Sequence, residues 1–101
     1  DVSKNTQLTE LWCSYNQLTT LDVSNNTQLT TLYCNNTQLT TLDVSINTQL
    51  TTLWCDDNPG KDNKFIVKAW FDSSNIPTEN FTTGSWNYDG STITIEYQKA
   101  E

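Results

Sequence analysis

The residues with the means to do chemistry are few, and they recur. Cysteine stands at Cys13, Cys34 and Cys55, an interval of 21 residues, and the residue before each is aromatic: Trp12, Tyr33 and Trp54. Three thiols can in principle pair, hold a soft metal or act as nucleophiles. An odd count excludes an even disulfide framework, and the absence of histidine removes the usual metal partner and general base. One isolated cysteine every 21 residues also lacks the clustered spacing of a zinc site. The carboxylates, twelve against five basic residues, fall into columns as well, with Asp1, Asp22 and Asp43 each preceding a valine. A column along an open surface is not the enclosed pocket in which a carboxyl is tuned for catalysis. These residues therefore point to binding, not to an enzyme, and they call for no cofactor and no metal.

The elements that must position them follow from the period. Each 21-residue unit has two similar halves, Leu8-x-x-Leu11-x-Cys13 and Leu18-x-x-Leu21-Asp-Val23, repeated at Leu29 and Leu39 and again at Leu50. Alternation puts Leu, then Cys or Val, on one side of a short extended segment, so two strands per coil are predicted, with the cysteines turned inward as small hydrophobes and inaccessible to reagents. The stretches between, such as Ser24-Asn-Asn-Thr-Gln28, consist of residues whose side chains bond local backbone and favour turns. The aspartates are expected to accept hydrogen bonds from the adjoining turns. Asn5, Asn26 and Asn47 are expected to bond from rung to rung. Fixed periods of this kind mark stacked coils, each covering a face that it cannot bury alone.

This pattern resembles the 21-residue leucine-rich repeat of bacterial surface proteins, in the internalin J-like variant where cysteine replaces a consensus leucine. The resemblance spans roughly residues 1–58, on period, leucines, cysteine and the asparagine at Asn16 and Asn58. It implies a β-rich solenoid of parallel strands, about 21 residues per coil with no regular helix, and a secreted or bacterial cell-surface binding role. Thr37 departs from the pattern in the middle copy, where an asparagine would bond the backbone of the turn.

After Asn58 the period stops. Asn58-Pro-Gly-Lys-Asp-Asn63 reads as a turn leaving the array, Phe65–Phe71 as a strand, and Ser73–Phe81 as a connecting loop. Asp89-Gly90 between Trp86-Asn-Tyr88 and Ile93–Tyr97 predicts a two-residue hairpin that pairs Tyr88 with Ser91 and Trp86 with Ile93. One face of that hairpin carries Trp86, Tyr88, Ile93, Ile95 and Tyr97, and must cover something. The expected organisation is a solenoid over residues 1–58 and a C-terminal antiparallel β cap over residues 59–101, with the hairpin over the last coil near Leu50 and Leu53. Since Asp1–Gln7 already matches the middle of a repeat, further N-terminal repeats are expected in the parent chain.

If cysteine points inward, Trp12, Tyr33 and Trp54 point outward and form a strip on the sheet face, about 4.8 Å from rung to rung. Glu10 and Tyr15 lie beside it on the first rung, Asn35 and Asn36 on the second, Asp56 and Asp57 on the third. Exposed aromatic patches usually mark contact sites. The candidate ligand-binding residues are thus Trp12, Tyr33, Trp54, Glu10, Tyr15, Asp56 and Asp57, with a protein or a glycan as ligand. A net charge of −7 repels nucleic acid and anionic membrane surfaces, and no apolar run is long enough to span a bilayer. The alternative is a structural spacer in which the rings only stiffen the sheet. A third reading takes the threonine columns, Thr30 over Thr51 among them, as an ice-binding face.

Overall fold

The structure, a computed structural model, describes residues 6–100. Asp1 and Asn5, the first members of the aspartate and asparagine columns, lie outside the described residues. Strands β1 (Glu10–Trp12), β2 (Thr31–Tyr33) and β4 (Thr52–Trp54) form a parallel sheet in the order β1-β2-β4. Its register is that of the period, Leu11 on Leu32 on Leu53. The second sheet runs β3-β5-β7-β6, from β3 (Thr41–Asp43), β5 (Lys64–Ala69), β7 (Ser91–Lys99) and β6 (Ser85–Tyr88). No helix occurs among the described residues.

Two strands per coil, as expected, are present in the second coil as β2 and β3, but the first coil has only β1. Residues 20–22 belong to no ladder, and a backbone bond from Gln38 N–H to Leu18 C=O ties the second halves of the first two coils together near this stretch. The equivalent residues 41–43 become a strand because β5 supplies the missing partner, pairing Leu42 with Val67 in parallel.

The change of composition at Asn58 does not end the winding. β5 lies beside β3 and β7 lies beside β5, both parallel, so the cap is antiparallel only at its hairpin. On the first sheet, Phe81 takes the place beside Leu53 in a parallel bridge, with Leu53 N–H donating to Asn80 C=O and Thr82 N–H to Leu53 C=O. The segment read as a loop is therefore what covers the edge of β4, and the hairpin completes the other sheet. A fourth, larger coil results: 28 residues separate Leu53 from Phe81, against 21 between Leu32 and Leu53.

Turn chemistry explains how the path bends without the period. Asp22 and Asp43 each accept from the backbone N–H and hydroxyl of the serine two residues on, at 2.9 and 2.6 Å, and Asp72 repeats this with Ser74. These bonds hold the carboxyls below the usual range. Positive φ at Asp62 and Asn63 makes a tight turn that closes Lys61 onto Lys64. At Gly60 a Cβ would lie 2.3 Å from the Lys64 carbonyl oxygen, so only glycine fits. The hairpin has the predicted register, and φ of 51° and 83° at Asp89 and Gly90 is that of a type I′ turn.

The core is one cluster from Val23 to Tyr97, with Leu32, Leu39, Leu53, Cys34, Cys55 and Phe65 fully buried. Phe71, Phe81 and Tyr97 close it at the cap, ring to ring at 5.1 and 5.3 Å, and the Tyr97 hydroxyl donates to Thr82 C=O. The Asn47 amide donates to Val23 and Asn26 carbonyls of the preceding coil, the rung-to-rung bond foreseen for that column.

Thr37 leaves no gap. Its hydroxyl donates to Asn58 Oδ1 at 2.6 Å, the same oxygen accepts from Leu39 N–H at 3.0 Å, and Asn58 Nδ2 reaches the Cys34 and Cys55 carbonyls at 3.0 and 2.9 Å. One buried amide thus serves two coils.

All three thiols are free. Cys34 and Cys55 are buried, and burial pushes both thiols well up, with the neighbouring Cys55 adding to the effect at Cys34. Cys13 is only half-buried, which corrects the expectation that every thiol is inaccessible, and burial raises it too. A thiol titration of the folded protein is expected to label Cys13 slowly and to spare Cys34 and Cys55 until the chain unfolds, since attack requires an accessible thiolate. Rapid labelling of Cys34 would place it outside the core.

Candidate functional site

The register that turns Leu11, Leu32 and Leu53 toward the core turns their neighbours Trp12, Tyr33 and Trp54 to the opposite face of the first sheet, one on each strand. Trp12 is 71% exposed and Trp54 49%, while Tyr33 between them is half-buried. The rings touch, with centroids 4.9 and 4.6 Å apart, but they do not form the flat platform that equal spacing predicts. Trp12 meets Tyr33 edge-on at 76°, and Trp54 is tilted 45° from Tyr33. Parallel rings stacked face to face would oppose their quadrupoles, so the column relaxes into edge-on and tilted contacts.

The rings wall an open groove of about 450 Å³ together with Ser14, Tyr15 and Asn35. Asn35 was expected beside the strip; Ser14 was not, although it stands two residues past Trp12 as Asn35 does past Tyr33, a spacing that period-two alternation would have picked out. The Ser14 hydroxyl donates to Asn35 Oδ1 at 2.6 Å. Glu10 does not line the groove but adjoins it, its carboxylate accepting from Trp12 Nε1 at 3.3 Å. Asp56 and Asp57 do not line the groove. They are half-buried in the turn after Cys55, where burial first, and then the neighbouring Asp57, push the Asp56 carboxyl up.

Tyr15, Asn36 and Asp57 occupy one column, and all three have left-handed backbone, with φ of 61°, 56° and 57°. Asparagine and aspartate tolerate that region, whereas a tyrosine there is strained. Tyr15, 80% exposed, makes no core contact that explains the choice. Its ring lines the groove instead. Tyr15→Asn is therefore expected to raise stability by about 1 kcal/mol while removing a groove wall, as a urea melt and a binding titration on the same variant would show. A loss of stability would mean that the ring holds the first coil together.

Residues 6–47 match the family model described as Leucine Rich repeats (2 copies). Over that span, about two-fifths of the chain, the coils are similar to leucine-rich repeats. No curated protein and no solved structure matched the chain. Leucine-rich repeats are typically non-catalytic modules that mediate protein–protein contact. The matched span holds Trp12 and Tyr33, with Trp54 on the next strand beyond it.

Two other surfaces of the coiled array are chemically occupied by the array itself. A recess of about 150 Å³ between Asp22 and Asp43 holds carboxylates already engaged by Ser24 and Ser45. Along the threonine column, Thr30, Thr51 and Thr78 donate their hydroxyls to the carbonyls of Thr9, Thr30 and Thr51, so these hydroxyls bond the stack instead of presenting a regular row to ice.

Proposed function

We propose that this chain is a non-catalytic binding or adhesion module of a secreted or cell-surface protein, and that it engages its partner, a protein or a glycan, through the Trp12–Tyr33–Trp54 strip. One observation carries the reading: two tryptophans stand 71% and 49% exposed on the open face of a leucine-rich-repeat sheet, over a groove built from the same strands. Large rings left in water gain their contact area when a partner covers them.

The test is a peptide and glycan array probed with the intact chain and with Trp54→Ala. Loss of about 2 kcal/mol of binding, roughly thirtyfold, is expected if Trp54 is a hot spot. The melting curve should stay in place, because the ring is not core. A spacer role is the second reading, favoured by the ring-to-ring contacts at 4.9 and 4.6 Å. It takes the lead if Trp12→Ala and Trp54→Ala lower stability and leave every array signal unchanged.

A further inference from the structure

Taking the strip as the contact surface, we infer that its groove receives a trimethylammonium group of the choline type. Four aromatic side chains wall one open recess: Trp12, Tyr15, Tyr33 and Trp54. Planes inclined by 76° and 45° cannot all lie against one flat ligand, but they present π faces and edges at several angles to a compact, rounded one. A cation is attracted by the negative face of each ring, most strongly by tryptophan.

The charge around the groove has the matching sign. No lysine or arginine occurs between Asn5 and Gly60, the segment that supplies every wall of the groove, whereas Glu10 adjoins Trp12 within it and Asp56 and Asp57 follow Trp54 on the neighbouring turn. The Glu10 carboxylate is held at the edge of the Trp12 indole. A primary ammonium would need acceptors for three N–H groups. The groove offers it few, since four of its six walls are aromatic rings and only Ser14 and Asn35, already bonded to each other, are polar. A trimethylammonium has no N–H to satisfy and sheds its water more readily.

The experiment titrates the intact chain with choline chloride, with dimethylbutanol as the uncharged tert-butyl isostere, and with sodium chloride at equal ionic strength, following tryptophan fluorescence. Saturable quenching by choline is expected, with the isostere at least about tenfold weaker and sodium chloride without a saturable response. Trp12→Leu, at an exposed position, and Tyr33→Leu should each weaken choline binding by about tenfold. Equal binding of the isostere, or no saturation by about 0.1 M choline, would overturn the inference. Nε-trimethyl-lysine binding about tenfold tighter than choline would remove choline as the carrier of the group. If choline fails while array signals still depend on Trp54, this inference falls alone; if Trp54→Ala leaves those signals untouched, the contact surface itself is misplaced.

Discussion

Asn58→Ala is expected to cost about 3 to 4 kcal/mol, because it strips partners from several buried backbone groups at once. The side chain is fully buried, and it satisfies the Cys34 and Cys55 carbonyls, the Leu39 N–H and the Thr37 hydroxyl. No water reaches that site to replace it. Asn16 makes the corresponding bond to the Cys13 carbonyl at 2.7 Å but is exposed, so Asn16→Ala should cost about 1 kcal/mol or less. Urea denaturation of the two variants, with an unchanged slope, checks the contrast. Equal losses would mean that burial does not set the difference. Thr37→Asn offers a further control, since a second amide would crowd the one already serving both coils.

A chain ended at Asn58 is expected to lose its cooperative melt altogether. Removal of the remaining residues takes Phe65, Val67, Ala69, Phe71, Phe81, Ile93, Ile95 and Tyr97 out of the core cluster. At about 1.5 to 3 kcal/mol for each large side chain, the loss matches or exceeds the roughly 5 to 15 kcal/mol by which a domain is normally stable. It also uncovers the edges of β3 and β4, which β5 and residues 80–82 now pair. Circular dichroism and sedimentation of the truncated chain decide it: a monomer that melts in one transition would show that the array stands without the cap.

Particular residues show what sequence reading reaches and what it misses. The leucines and cysteines give the coil and its inward face because one period governs every rung, and Asp89-Gly90 gives the hairpin because few dipeptides adopt that turn. The continued winding past Asn58 is hidden by its spacing, which stretches from 21 to 28 residues. Its chemistry was nonetheless written in Asp72-Ser-Ser74, which repeats the turn of Asp22 and Asp43, and in Thr78, which extends the threonine column. The outward strip follows from alternation, but the tilt of its rings does not, since neighbouring side chains set it. The strain at Tyr15 was out of reach for another reason: only the left-handed backbone of Asn36 and Asp57 beside it reveals what the position demands.

The reversal of direction at β6 has a consequence for self-association. Stacked parallel coils of nearly identical sequence form a template that a further copy of the same coil can lengthen, and edges of that kind propagate into fibrils. In space β3, β5 and β7 lie side by side, all parallel, and beyond β7 lies the four-residue β6, joined to it through Asp89-Gly90 and running the other way. An incoming coil would find neither the polarity nor the 21-residue register of the array at this edge. The hairpin therefore acts as a terminator, ending growth by mismatch and not by bulk.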